Sequence, residues 1–186
     1  EIWFDEDVQL AHYKLPANCK FIGQTLLQTK FRSNYGCNIL QITTPQAVID
    51  MPGADYILEA ASTLLIIGTR EQFKMFNAAV ASKQIDLEPL DEPISLRQFM
   101  LQSHEEKPEL QFLSLAITVD EHSKLLGKSI KDANIRENWS ALVLGLERGA
   151  YTITNPNISL TFEKGDLLWV LGKQKMLNAL IREEVL

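Results

Sequence analysis

Cysteine is scarce: Cys19 and Cys37 are the only two in 186 residues, and they have no CxxC spacing. A disulfide framework is therefore excluded, and both read as reduced cytosolic thiols. Long apolar runs are missing too. The longest weakly polar stretch, 57–68, already contains Glu59, Ser62 and Thr63, and it falls short of the roughly 18 apolar residues of a membrane span. No N-terminal signal is visible. Basic charge is in deficit, with 18 Lys+Arg against 24 Asp+Glu, a net charge of −6 and a pI near 5.1. Such a chain lacks the electrostatic footprint of a nucleic-acid binder.

Catalytic signatures are equally absent. His12, His104 and His122 are scattered, and no HxxxH, HExxH or Cys/His metal spacing occurs. There is no GxSxG elbow, Walker A loop or Rossmann glycine fingerprint. The carboxylate pairs Glu105-Glu106 and Glu183-Glu184 fall in an expected loop and terminal helix, where solvated charge is the ordinary reading. No catalytic residue and no metal ligand is assigned, and the chain is read as a non-enzyme. What remains is a globular composition, 46% apolar and 23% charged with 9 Gly and 7 Pro. The chain opens on Glu1 rather than Met, which suggests a soluble piece of a longer protein.

That piece is built twice. Sliding the sequence by 104 positions aligns Gly23 with Gly127, Arg32 with Arg136, Asn34 with Asn138, Leu40 with Leu144 and Ile49 with Ile153. Pro52, Glu59, Leu64 and Gly68 likewise meet Pro156, Glu163, Leu168 and Gly172. These are nine identities in 46 gapless positions, and the intervening apolar runs keep their character. A duplication is the reading.

Each copy predicts the same elements. A strand over 9–15 or 113–119 leads through a turn to Gly23 or Gly127. A short helix over 25–29 or 129–133 follows, with Thr25 and Ser129 placed as N-caps. Next come a strand over 37–42 or 141–146 and, in the second copy, a hairpin through Glu147-Arg148-Gly149 to 151–154. A third strand (64–67 or 167–171) runs into an amphipathic helix carrying Phe73, Phe76 and Val80, or Met176, Leu177, Leu180 and Ile181. The expected class is α+β: two tandem β-α-β-β-β-α units, each a small sheet with helices packed to one side.

The expected boundaries are a first unit at 1–80 (the repeat proper from about 10), an acidic, proline-containing linker at 81–112, and a second unit at 113–186. Asp86, Glu88, Asp91 and Glu92 with Pro89 and Pro93 read as solvated charge in that linker. Two turns of helix over 94–101 are expected to pack Leu96, Phe99 and Met100 back onto a unit.

The second unit carries a more specific pattern: Leu125-Leu126-Gly127-Lys128-Ser129-Ile130, Ile135-Arg136, Leu142-Val143-Leu144, Glu147-Arg148-Gly149, Asn155-Pro156, and Glu163-Lys164-Gly165-Asp166-Leu167-Leu168-Trp169-Val170-Leu171-Gly172. This resembles the TrkA-C domain, also called RCK-C, the C-terminal half of modules that regulate potassium conductance. The first unit resembles it more weakly. Ala61-Ser62 replaces Gly165-Asp166, and Thr43-Thr44-Pro45 replaces Glu147-Arg148-Gly149. Gly165 is expected at a positive φ, and Ala61 is then expected to need a reshaped turn.

The resemblance implies a regulatory, ligand-sensing or dimerising region of a bacterial monovalent cation:proton antiporter or potassium transporter. It would lie on the cytoplasmic side of the inner membrane, attached to a membrane transport domain of the same polypeptide. Alternatives are the regulatory domain pair of an anion or dicarboxylate carrier, or a purely structural dimerisation module without ligand. Pairing would be within a homodimer or between the two units of one chain, with no nucleic acid as partner.

The same resemblance implies a cleft for cyclic di-AMP or another nucleotide. The residues matching the family pattern are Leu26 and Leu27 on the short helix, then Arg32 and Asn38. The second unit keeps Arg136 but places Leu142 where the Asn would be. An Arg can pair with phosphate, and an Asn amide can read a base edge. The structural alternative is that Arg32 caps carbonyls at a helix end, and that Asn34 and Asn138 preserve a fold contact. Asn155-Pro156 reads as a turn, and Trp139 and Trp169 read as core or interface residues.

Overall fold

The structure is a computed structural model that describes residues 4–102 and 107–185. Two compact units divide at Gln102/Ser103. The first comprises α1 (Phe4–Asp7), β1 (Val8–Lys14), α2 (Leu26–Thr29), α3 (Phe31–Tyr35), β2 (Asn38–Thr43), β3 (Val48–Asp50), β4 (Thr63–Thr69), α4 (Arg70–Ala81), β5 (Glu88–Pro89), β6 (Ile94–Ser95) and α5 (Leu96–Gln102). The second opens with a 3-10 turn, Pro108–Leu110. It continues through β7 (Phe112–Thr118), α6 (Ile130–Ala133), α7 (Ile135–Trp139), β8 (Leu142–Arg148), β9 (Tyr151–Thr154), β10 (Leu167–Lys173) and α8 (Gln174–Val185).

Both sheets are antiparallel and share one plan. In the first, the order is β3-β2-β4-β1, with β5 and β6 side by side on the far edge of β1. The second has the order β7-β10-β8-β9. The 104-residue offset holds in hydrogen-bond register. Val8 faces Thr69 where Phe112 faces Lys173, and a bulge falls at Leu40 in β2 and at Leu144 in β8. Even single bridges repeat, Thr25 to Ile57 and Ser129 to Thr161. The duplication is thus α+β in both halves.

Helices cover one face of each sheet. In the first unit Phe73, Phe76, Ala79 and Val80 of α4 pack on Ala11, Tyr13, Ile39, Ile42, Leu64 and Ile66. The Phe76 ring meets Tyr13, Phe31, Tyr35 and Phe73 edge-on, a favoured aromatic arrangement. In the second unit Leu177 and Leu180 take this role against Ile117, Leu146, Leu168 and Val170. Met176 is half-buried and Ile181 exposed, so α8 presents a narrower apolar stripe than its sequence predicts.

Three features refine or depart from expectation. Each unit has a second one-turn helix, α3 or α7, after the first. The break comes from Lys30 and Asn134, held left-handed at φ 61° and 51°, which end one turn and start the next. Next, the Thr25 cap is a full capping box: its hydroxyl accepts from the Gln28 amide (3.2 Å), and the Gln28 side chain accepts from the Thr25 amide (2.8 Å). Ser129 caps α6 through Asp132 alone.

The third difference is the acidic segment, which folds onto the first unit instead of linking the two. Ile85 and Leu87 are buried in its core, a gain of about 1.5–3 kcal/mol each. The Lys20 amide donates to the Asp86 carboxylate, and Glu88 and Ile94 pair with Lys14 and Leu10. Leu96 of α5 is fully buried, with Phe99 and Met100 half-buried. The expected boundary at 80 therefore moves to Gln102. His104 and Glu105-Glu106 lie outside the described residues, as does the Glu184 side chain.

Among the described residues, no helix is long and apolar enough to cross a membrane, and no group of His, Cys, Asp and Glu could hold a metal ion.

Candidate functional site

The corner formed by α2, α3 and the start of β2 carries the first unit's candidate residues. Leu26, the opening residue of α2, is half-buried and packs against the core. Leu27 beside it is 73% exposed. Two backbone bonds pin this helix to the loop before β4: the Leu26 amide donates to the Tyr56 carbonyl, and the Leu27 amide to the Ala54 carbonyl (both 3.0 Å). An exposed leucine held on a fixed backbone is a ready apolar contact for a ligand.

Arg32 is the second residue of α3 and is exposed, yet enough protein surrounds its guanidinium that desolvation lowers its pKa. Its carbonyl accepts from the Gly36 amide (2.8 Å), and Gly36 turns the chain at φ 73° into β2. Asn38 opens that strand, half-buried opposite Ile67. The structure therefore sets Leu27, Arg32 and Asn38 on three consecutive elements joined by left-handed residues. Arg136 occupies the matching place on α7, half-buried, its carbonyl accepting from Ser140 (2.9 Å). Leu142, in the place of Asn38, is buried.

The remaining candidates are placed as follows. Asn34 and Asn138 are exposed on α3 and α7, and Trp139 packs against the second core. The Trp169 indole N–H donates to Glu147 (3.3 Å). The His12 Nδ1 lies 2.7 Å from Asp91, which also accepts from the His12 amide. His122 is exposed beside Glu121. Both thiols are buried. Desolvation pushes the Cys37 thiol up to about 12, and burial also raises that of Cys19.

Sequence reading missed the best-built polar cluster. Arg148, taken as a hairpin turn residue, donates from Nε and Nη2 to the two oxygens of buried Asp166 (both 2.8 Å) and from Nη2 to the Thr161 carbonyl (3.0 Å). The Glu163 amide donates to the same carboxylate (2.8 Å). Burial alone would raise the Asp166 pKa, but these hydrogen bonds and the guanidinium charge bring it below the ordinary value. The signal was present as Arg148 in one motif and Asp166 in another; only the sheet brings them together. Nε and Nη2 are both engaged within the fold, which is a structural role for the pair.

The same expectation about Gly165 is met, at φ 92°. Ala61 takes the same left-handed turn, at φ 60°, instead of reshaping it.

The family model for the TrkA-C domain matches residues 10–81 and again residues 115–184. Among curated relatives, an uncharacterized transporter, sll0640, of Synechocystis is 24% identical over 162 residues, 87% of this chain and 25% of its own length. The uncharacterized transporter YfbS of Escherichia coli is 25% identical over 166 residues, again 87% and 25%. The Ktr system potassium uptake protein A of Vibrio alginolyticus is 28% identical over 134 residues, 72% of this chain and 49% of the relative. The chain thus spans a quarter to a half of the length of these relatives. Among solved structures, the RCK C domain of the potassium transport protein KtrA, in complex with cyclic diadenosine monophosphate, is 28% identical. It covers 39% of this chain and 82% of that one, at a TM-score of 0.37.

Proposed function

We propose, for a chain that belongs to the TrkA-C domain family in both its halves, a role as the regulatory domain pair of a bacterial membrane transport protein. It lies on the cytoplasmic side of the inner membrane and senses a nucleotide. The observation that carries this reading is the double family match, joined to relatives whose names are transporter and potassium uptake protein. A monovalent cation is the transported ion of first choice, because the potassium uptake relative matches over 72% of this chain. An anion or dicarboxylate carrier is the second reading. The two transporter relatives that match over 87% of the chain are compatible with either, because their names specify no solute.

In this reading the first unit holds the ligand. Leu27 and Leu26 supply apolar contact to a base, the Arg32 guanidinium pairs with phosphate, and the Asn38 amide reads a base edge. Arg32, already partly desolvated, loses less hydration on pairing than a fully solvated arginine. Arg136 offers the matching cationic contact in the second unit. Ligand binding then shifts the population between two arrangements, by no more than its differential affinity for them.

The test is a thermal-unfolding panel with cyclic di-AMP, ATP, ADP, NAD(H) and simple cations on this chain and on Arg32→Ala. A nucleotide at about 100 times its dissociation constant stabilises by roughly 2.7 kcal/mol, or about 5 °C or more at this size. The expected result is a shift with one nucleotide that Arg32→Ala abolishes. No shift across the panel would leave a structural dimerisation module.

A further inference from the structure

The two copies of the α2–α3 corner share a backbone plan and differ in charge. Residues 8–49 of the first copy hold Lys14, Lys20, Lys30 and Arg32 and no Asp or Glu, in a chain of net charge −6. The matching residues 112–153 hold five basic and five acidic residues. The contrast is sharpest on the one-turn helices. Lys131 of α6 and Arg136 of α7 have Asp132 and Glu137 beside them, whereas the first copy has Gln28 and Ser33 at those two places. Lys14 lies opposite Glu88 in its strand pair, and the Lys20 ammonium donates to the Gln84 carbonyl (3.2 Å). Lys30 and Arg32 are the cations of the corner itself. The loop that leads from β3 past α2 brings Asp50, which accepts from Gln41 (2.9 Å), and the exposed Asp55 and Glu59. Among the described residues, no carboxylate forms an ion pair with the Lys30 ammonium.

Lys30 also holds a strained backbone. Its φ of 61° and ψ of 22° are left-handed, a region that asparagine visits far more readily than lysine. The second unit uses Asn134 at this place, at φ 51°. Neither side chain caps the one-turn helix that follows, so the fold asks here only for the left-handed turn, which asparagine serves better. Lys30 is exposed and stands two residues before Arg32. A disfavoured residue that gives the fold no contact in return points to a function outside the fold.

We propose that Lys30 is a second phosphate-binding residue of the first unit, and that the ligand there is a nucleoside di- or triphosphate. The proposal rests on the nucleotide reading above and narrows it. Asn38 is one amide for one base edge. Two cations two residues apart, with no acidic residue on their helices, suit a chain of adjacent phosphates better than a single phosphodiester. The planar fork of Arg32 takes one phosphate through parallel hydrogen bonds, and the Lys30 ammonium supplies a mobile point charge to the next. The second unit has Leu142 in place of Asn38 and acids beside its cations, and binds no such ligand.

The experiment is calorimetric titration of the full chain with AMP, ADP, ATP and cyclic di-AMP, together with ligand-free thermal melts. The proteins are the parent, Lys30→Asn, Lys30→Arg and Arg32→Ala. Lys30→Asn installs the second unit's residue, so it should raise the ligand-free midpoint by about 1–2 °C. The same variant should weaken ADP and ATP about fivefold to tenfold. AMP should bind the parent more weakly than ADP and respond less to the change. Lys30→Arg keeps the charge and should keep most of the affinity. A gain in stability with a loss of affinity is a result that a merely structural lysine does not give. Unchanged ADP and ATP binding in Lys30→Asn, with binding lost in Arg32→Ala, would overturn the role of Lys30 and leave the nucleotide site standing. So would a Lys30→Arg as weak as Lys30→Asn. Tighter binding of cyclic di-AMP than of ADP and ATP would overturn the ligand class. No binding of any of the four would overturn this proposal together with the reading it rests on.

Discussion

Arg148 and Asp166 close a two-pronged ion pair between the β8–β9 hairpin and the turn entering β10, and at the same repeat positions the first unit holds Thr44 and Ser62. Both members of the pair differ together. Ser62 is fully buried, and its hydroxyl has no hydrogen-bond partner among the described residues. One scaffold therefore tolerates either a paired charge or two small polar residues at this place, but the physics forbids half of the pair.

Removing one partner should show this. Arg148→Thr leaves a buried carboxylate without its cation and is expected to cost about 3 kcal/mol. The double variant Arg148→Thr/Asp166→Ser, which installs the first unit's arrangement, should cost clearly less than the single one. Urea unfolding read by tryptophan emission in a Trp3→Phe background measures both, because Trp139 and Trp169 then report the second unit alone.

Acid should find the same pair. Asp166 has a folded pKa below its unfolded value of about 3.9, so its contribution is fully present above that value. It is lost as pH falls through the lowered folded pKa. The second unit is expected to lose stability progressively below about pH 4. The expected result for Asp166→Asn is a flatter acid limb, read by the same emission during titration.

The left-handed turn makes a third contrast. Ala61 sits at φ 60° where Gly165 sits at φ 92°, and a Cβ is disfavoured there. Ala61→Gly should stabilise the first unit by about 0.5–1 kcal/mol, and Gly165→Ala should destabilise the second by about as much. Paired thermal melts of the two variants check the opposite signs.

Gly172 serves a different purpose. A Cβ there would lie 3.3 Å from the Ser140 carbonyl and from the Ala141 Cβ, and 3.2 Å from Leu177. Gly172→Ala should therefore destabilise by about 1–3 kcal/mol, because backbone cannot yield as a side chain does. Urea midpoints decide it.

The acidic segment belongs to the first unit, so a fragment ending at residue 81 should be markedly less stable than one ending at 102. Leu87→Ala in the longer fragment is expected to cost about 2–4 kcal/mol. Circular dichroism melts of the three proteins would show the order.

Much of this was legible in the chain itself. Periodicity and turn residues repeated at an offset of 104 placed the strands, the caps at Thr25 and Ser129, and the closing helices to within a residue or two. The reason is local: alternation, capping hydroxyls and glycine are decided over a few residues. The α3 and α7 helices escaped notice because a single turn after a left-handed Lys30 or Asn134 leaves no periodic trace. Arg32, Asn38 and Leu27 were named from sequence, while their placement on three joined elements came from the backbone.

By itself, then, the sequence determined the duplication and the α+β class, since these follow from pattern and composition, while the candidate ligand residues came from the family resemblance. The tertiary structure decided what depends on contacts between distant residues. It pinned the acidic segment to β1 through Ile85, Leu87 and Asp91, although composition marked that segment as solvated. It joined Arg148 to Asp166 across the sheet. Backbone edges and buried pairs are satisfied or left open only once strands from separate stretches of chain lie side by side.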